Sequence, residues 1–279
     1  MKLTYDDIAQ NLDELPSLPA VVMELLNSLD LDDIDISVLT KKVSHDQALT
    51  AKTLRLANSS LYNLQVKLTT IQQAITYLGF QTMRNLITAV AVTGCFAQGQ
   101  CKGFDDKAFW RHSIATAVCA KVLARQMRLN QDFAFTAGLL HDVGRLVLVT
   151  CFPEQFERAL AYRASMDCFM LDAERAVLGI DHVEAGLALA EHWNFSDTMK
   201  LAIGGHHCPE TPGAGFLASI IHVADAIVHA LDLVQMADDL VPPVSLVAWN
   251  ALGLEQAVYL QIFRETLLQY EEIAMVLLV

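Results

Sequence analysis

Residues 137–145 read AGLLHDVGR and place a histidine and an aspartate, His141 and Asp142, side by side in an otherwise small and apolar segment. An ionised carboxylate is costly to bury in such surroundings unless a cation or a dense hydrogen-bond network compensates its charge. Both side chains are also good ligands for transition metals. The doublet therefore indicates either a buried metal site or a buried polar network.

Five further residues of ligand type flank the doublet along the chain: His112, His182, His206, His207 and Asp225. With the doublet they make five histidines and two carboxylates, which is more than the four ligands of one tetrahedral zinc ion. The surplus predicts two divalent ions, of iron, manganese or zinc, that share a carboxylate. Asp142 is the expected bridge because His141 holds it close to one ion.

Several of these histidines also have a purely structural interpretation. His112 follows a polar and aromatic segment, where half-buried surface histidines are common. His182 could be only an early helix residue. The pair His206-His207 could end a helix and interact favourably with its dipole.

A polar stripe is predicted on the helix that carries Asp225. His222, Asp225 and His229 lie at i, i+3 and i+7, and so on one face. The structural alternative for this stripe is a buried hydrogen-bonded network. The remaining histidines, His45 and His192, are predicted to have only structural roles.

The composition is that of a globular chain of 279 residues, 53% hydrophobic and 18% charged. A formal net charge of −13 argues against binding to nucleic acid or to an anionic membrane. The chain has no run of 18 or more apolar residues, so no membrane span is expected. Six cysteines without a CxxC pair, and no signal-peptide pattern, predict reduced thiols in the cytoplasm. Cys208, beside the histidine pair, is an alternative ligand.

Helical periodicity runs through nearly the whole chain and no segment alternates as a strand does, so the predicted fold class is all-α. Asp46 is a typical N-cap and Gly79 a typical break between helices. Helices are predicted near residues 18–26, 47–57, 70–78, 81–92, 107–126, 131–150, 153–164, 172–177, 182–192, 196–204, 217–233 and 254–279.

A polar, glycine-containing stretch at residues 98–106 predicts a boundary between two helical lobes, 1–100 and 101–279. All candidate ligands lie in the second lobe. The last helix ends in the apolar residues 275–279, which we expect to dock on the protein's own core. An oligomer contact through this helix is the alternative.

The ligand order resembles the H…HD…D signature of the HD superfamily of metal-dependent phosphohydrolases, with His112, the doublet and Asp225 in those places. The additional histidines at 182, 206 and 207 resemble the fuller set of the HD-GYP and HDOD branches. Residues 46–59, DQALTAKTLRLANS, and 70–79, TIQQAITYLG, resemble the N-terminal signature of HDOD domains. The resemblance covers about residues 15–230.

The resemblance implies a multi-helical HD-type lobe with an additional N-terminal helical lobe. It implies a cytoplasmic role in bacterial signal transduction, often as one module of a larger regulator. The implied partner is a phosphorylated small molecule or nucleotide, or a signalling protein. The resemblance does not fix an activity, because HDOD domains have no assigned reaction.

Three departures from related branches refine this expectation. Residues 206–215 read HHCPETPGAG and lack the GYP loop of HD-GYP phosphodiesterases, so hydrolysis of cyclic di-GMP is not expected. Ala108 stands where some relatives have a carboxylate for a third metal, so at most two ions are expected. Arg145 stands where a phosphate-contacting lysine is usual and could clamp a phosphate; an ion pair with a surface carboxylate is the alternative.

Two functions follow as hypotheses. In the first, the chain is a metal-dependent phosphohydrolase or phosphodiesterase: Asp142 bridges two ions, metal-bound hydroxide attacks the phosphoester, Arg145 contacts the phosphate, and His207 is a ligand or a substrate contact. In the second, it is a non-catalytic signalling or protein-interaction module whose metal site is structural or vestigial.

Overall fold

The computed structural model describes residues 2–15, 18–27, 36–58, 62, 64–96, 101–235 and 240–277, and no strand occurs among them. The predicted all-α, multi-helical fold is confirmed. A short 3-10 turn, Leu12–Glu14, follows the first helix. The helices are α1 (Tyr5–Asn11), α2 (Ala20–Asn27), α3 (Ile36–His45), α4 (Gln47–Ala57), α5 (Ile71–Leu78), α6 (Phe80–Cys95), α7 (Asp106–Gln126), α8 (Gln131–Leu140), α9 (Val143–Cys151), α10 (Pro153–Met166), α11 (Met170–Val177), α12 (His182–His192), α13 (Asp197–Gly205), α14 (Gly215–Ala230), α15 (Leu246–Leu252) and α16 (Gln256–Leu277).

Local sequence fixes many of the helix starts. The Asp46 side chain accepts the Leu49 N–H and caps α4, as predicted. Asp181 caps α12 in the same way, and the side chain of Glu184 accepts the N–H of Asp181 in return. Gly79, with φ of 84°, separates α5 from α6.

The prediction of one continuous helix over residues 131–150 is wrong, because the structure interrupts it at the doublet and forms α8 and α9 instead. The imidazole Nδ1 of His141 donates to the carbonyl of Gly138 at 2.7 Å. In a continuous helix that carbonyl would accept the N–H of Asp142. The break turns both side chains of the doublet inward.

The core is built around α7, which is buried over most of its length. Helices α8, α14 and α16 pack against α7, α9 packs against α12, and α13 packs against α14. These helices surround the place where the doublet lies.

The hydrophobic core is continuous from Leu3 to Ile273. Helices α2 to α6 pack on one another, α6 also contacts α8 and α16, and α4 contacts α16. The N-terminal helix α1 packs on α12 and α9, well beyond the predicted boundary near residue 100. The division into lobes 1–100 and 101–279 stays a prediction.

The segment Gln131–Cys151 is apolar and long enough to cross a membrane by composition alone, but 89% of its most apolar window is buried inside the protein. It contains α8 and α9, which are core helices here. The predicted docking of the side chains at 275–279 lies outside the described residues.

We predict that Gly144→Ala destabilises the protein by about 1–3 kcal/mol or more, because its new methyl group would overlap backbone atoms of His182 and Gly186 where α9 meets α12. Chemical denaturation measures the change in the free energy of unfolding. Gly94→Ala is the matched control: its methyl group would meet no atom within 4 Å, so the same assay should show no loss of stability. Equal stability of Gly144→Ala and the unmodified protein would contradict this packing.

Candidate metal centre

The structure brings all seven predicted ligands into one cluster, where α7, α12, α14, the α8–α9 junction and the end of α13 meet. Their donor atoms form overlapping groups, and within each group all atoms lie within 4.8 Å of one another. All but one of the side chains are buried, and His207 is half-buried. The members are His112, His141, Asp142, His182, His206, His207 and Asp225.

Asp142 lies at the centre of the cluster, and its two carboxylate oxygens face different histidines. Oδ1 is 3.2 Å from Nε2 of His182 and 3.5 Å from Nε2 of His206. Oδ2 is 3.6 Å from Nε2 of His141 and 3.9 Å from Nε2 of His112. One carboxylate therefore separates two sets of imidazole nitrogens.

The remaining ligands complete two groups around this carboxylate. We call His112, His141 and Asp225 the first ligand group; Oδ1 of Asp225 is 3.0 Å from Nε2 of His112 and 3.8 Å from Nε2 of His141. We call His182, His206 and His207 the second ligand group; Nε2 of His207 is 2.9 Å from Nε2 of His182.

Backbone carbonyls fix the tautomers of two of the histidines. Nδ1 of His141 lies 2.7 Å from the carbonyl of Gly138, and Nδ1 of His206 lies 2.7 Å from the carbonyl of Ile203. A carbonyl oxygen only accepts hydrogen bonds, so each Nδ1 carries a proton and each Nε2 faces Asp142. Burial lowers the pKa of His141 to about 3, which keeps that ring neutral.

Glu174 holds His182 from behind and was not found by the sequence analysis. Its Oε2 accepts the backbone N–H of His182 at 2.9 Å and lies 2.6 Å from Nδ1 of the same residue. Glu174 is fully buried on α11. A carboxylate behind a histidine orients the ring and makes it a more basic metal ligand. The sequence around Glu174 is polar, so nothing in that sequence predicts its burial.

The charge of Asp142 is stabilised by a guanidinium at the edge of the cluster. Burial by itself raises the pKa of Asp142, but Arg145 and the neighbouring histidines outweigh it and hold that pKa well below its usual range. Nη1 of Arg145 is 3.0 Å from Oδ2 of Asp142. This contact of Arg145 is with a buried carboxylate of the cluster, and its role toward a phosphate stays a prediction.

The donor set fits a divalent transition metal. Oδ1 of Asp142 and Nε2 of His206 are both buried and have no hydrogen-bond partner, although they face each other at 3.5 Å. Two buried polar atoms left without partners in that arrangement are costly unless a cation lies between them. Imidazole and carboxylate together suit zinc, iron or manganese better than calcium or magnesium.

The other candidate residues named from the sequence have structural roles. His222 donates from Nδ1 to the carbonyl of His206 at 2.7 Å and accepts the N–H of Ser245 at Nε2 at 2.8 Å. Both of its nitrogens are therefore used, and it ties α14 to the histidine pair. His192 lies 4.0 Å from Asp13 near the surface. Cys208 is exposed and belongs to none of the ligand groups found among the described residues.

A cavity of about 580 Å³ opens from the cluster. Its base includes side chains of the cluster, among them His112, His207 and Asp225, together with Arg145. Its walls are mainly apolar and include Phe104, Phe109, Phe156, Leu160 and Phe169. A ligand in this cavity can reach the cluster with a polar end while an apolar part contacts the walls.

The sequence model of the HDOD domain matches residues 15–209 of this chain. The fold agrees with that of a Geobacter sulfurreducens protein described as an HDOD domain protein with unknown function. That structure is 24% identical, with a TM-score of 0.85 and 98% of each chain covered.

Two further relatives are informative. A Shewanella amazonensis protein described as a "putative phosphohydrolase" is 28% identical, with a TM-score of 0.75, and the match covers 97% of this chain and 98% of the other. An uncharacterised protein of Treponema pallidum is 26% identical over 209 residues, which are 74% of this chain but 40% of that protein. This chain therefore matches less than half the length of that relative.

We predict that Glu174→Gln weakens metal binding about 10- to 100-fold, because glutamine keeps the shape of the residue but removes the charge that makes His182 basic. A competition titration with a chelator measures the affinity. Glu210→Gln removes the same charge from an exposed position of the loop after the histidine pair and should leave the affinity unchanged. Equal affinities for the two variants would show that Glu174 has no influence on the site.

Proposed function

This chain belongs to the HDOD domain family, and we propose that it is a metal-dependent phosphohydrolase with two divalent ions held on either side of Asp142. The observation that carries the proposal is the position of Asp142, whose two oxygens face separate groups of imidazole nitrogens deep in the protein. A carboxylate shared by two ions is the arrangement that clamps a phosphoester for in-line displacement.

In this proposal the first ligand group holds one ion and the second ligand group holds the other. Iron, manganese and zinc are the expected metals because the donors are imidazole nitrogens and carboxylate oxygens. When bound, such ions activate a water molecule and stabilise the charge that develops on the phosphoryl oxygens. We assign His207 to the second ligand group because its Nε2 lies 2.9 Å from that of His182.

Arg145 is the residue we expect to bind the phosphoryl group. It lines the cavity, and 22% of its side chain is exposed there. Its guanidinium is also anchored 3.0 Å from Oδ2 of Asp142, so its position is fixed relative to both ligand groups. A guanidinium offers paired N–H donors that match two phosphoryl oxygens.

The cavity supports a phosphorylated small molecule or a nucleotide as the substrate. Its volume of about 580 Å³ is within the usual range for small-molecule sites. Apolar walls favour an organic group attached to the phosphate and exclude water from the cluster. The net charge of −13 argues against a long nucleic acid. The cytoplasmic signalling role, a signalling-protein partner and an oligomer contact through α16 stay predictions.

We predict that added Mn²⁺, Fe²⁺ or Zn²⁺ raises the Tm of the metal-free protein and supports hydrolysis of one or more members of a panel of phosphomonoesters and cyclic nucleotides. Asp142→Ala, and the equally sized Asp142→Asn, should lose both effects because the shared ligand is removed. Differential scanning calorimetry and phosphate release measure them.

Two outcomes would contradict the proposal in different ways. Tight stoichiometric metal without turnover on any member of the panel would support the alternative, a non-catalytic signalling module. Absence of metal even after reconstitution would remove the ligand assignment itself.

We predict that Arg145→Gln lowers kcat/KM for the best substrate of the panel about 100-fold, since a lost donor to the phosphoryl group is felt in the transition state. Metal content, measured by mass spectrometry, should remain at the level of the unmodified protein. Arg158→Gln is the control, because Arg158 is exposed on α10. A normal kcat/KM for Arg145→Gln would assign Arg145 to the ion pair with Asp142 alone.

A further inference from the structure

A third histidine side chain approaches the carboxylate of Asp225. His229 lies one helical turn after Asp225 on the same face of α14, and its Nε2 is 3.4 Å from Oδ1 of Asp225. The centroids of the His229 and His112 rings are 4.7 Å apart. The donor atoms of His112, Asp225 and His229 all lie within 4.8 Å of one another. This set shares His112 and Asp225 with the first ligand group.

His222, the other histidine of the stripe on α14, shows that position on this face is not sufficient to make a ligand. It is also on the buried face, but its Nδ1 and Nε2 are both engaged by backbone groups of His206 and Ser245. The Nε2 atom of His229 instead points at a carboxylate oxygen of the cluster, and its side chain lines the cavity with 18% exposed. Of these two, only His229 belongs to a set of donor atoms, found among the described residues, that all lie within 4.8 Å of one another.

We propose that His229 is an additional metal ligand, which acts with the first ligand group and makes the two metal positions unequal. The proposal rests on the metal centre proposed above. The first position then has His112, His141, His229 and Asp225 as donors in addition to Oδ2 of Asp142. The second position has the three histidines of the second ligand group in addition to Oδ1 of Asp142.

The inequality has a consequence for metal preference. The four donors of the second position suit tetrahedral zinc, whereas the five donors of the first position exceed the number that tetrahedral zinc takes. With five donors, the first position favours iron or manganese over zinc. His229 is thus the residue that tunes the identity of one ion.

Cobalt(II) titration of the metal-free protein tests the proposal without any substrate. His229→Gln keeps an N–H that can donate to Asp225 but removes the imidazole ligand. We expect this variant to weaken one of two cobalt-binding steps by more than the about 10- to 100-fold that loss of an indirect partner costs. The visible absorption of the cobalt bound in that step should change as well, while the other step stays as in the unmodified protein. His192→Gln is the control, because His192 lies near the surface, away from the cluster.

Three results would overturn the proposal. One is a His229→Gln variant with the cobalt affinity and spectrum of the unmodified protein. Another is a weakened His229→Ala variant that glutamine restores, because His229 would then only hold Asp225 through a hydrogen bond. The third, failure of the unmodified protein to bind cobalt, would also remove the proposed metal centre. The failure of this proposal can be told from the failure of the metal centre. If His229→Gln shows two normal cobalt-binding steps and Asp142→Asn loses both, the metal centre remains and only the role of His229 is removed.

Discussion

The cluster depends on one electrostatic constraint: the carboxylate of Asp142 is buried among the imidazole rings of the cluster. Oδ1 of Asp142 and Nε2 of His206 face each other without a hydrogen bond between them. In a protein interior such contacts are unfavourable, and a divalent cation converts them into favourable ones. The metal-free protein therefore holds a preorganised and partly uncompensated site, whose stability we expect to rise when metal binds.

The fold maintains this arrangement through the backbone. The carbonyls of Gly138 and Ile203 fix the rings of His141 and His206, and Glu174 fixes that of His182. The close approach of α9 to α12 at Gly144 brings the doublet to His182. Three of the histidines, His141, His182 and His206, are thus held by a second contact that orients the ring.

The residues of the cluster are polar, whereas the walls of the adjoining cavity are mainly apolar. Arg145 connects the two, because it contacts Asp142 and also lines the cavity. Phenylalanines in the cavity wall lower the local dielectric constant, which strengthens the interaction of a phosphate with Arg145 and with a bound cation. His229 lies at the same boundary. These residues make the cavity, and not the protein surface, the place where a phosphoester would bind.

Sequence alone determined the all-α class, because helical periodicity and caps such as Asp46 are local signals. It also predicted the members of the cluster, since a buried doublet such as His141-Asp142 needs compensation whatever the fold. Tertiary structure decided the rest. The helix across the doublet is interrupted because His141 takes a backbone carbonyl, and Glu174 joins the site because α11 folds over it. His222 and His229 occupy one stripe in the sequence, yet one pins the backbone and the other faces a carboxylate. The partners of His222, in His206 and Ser245, are distant in the chain, and no local pattern encodes them.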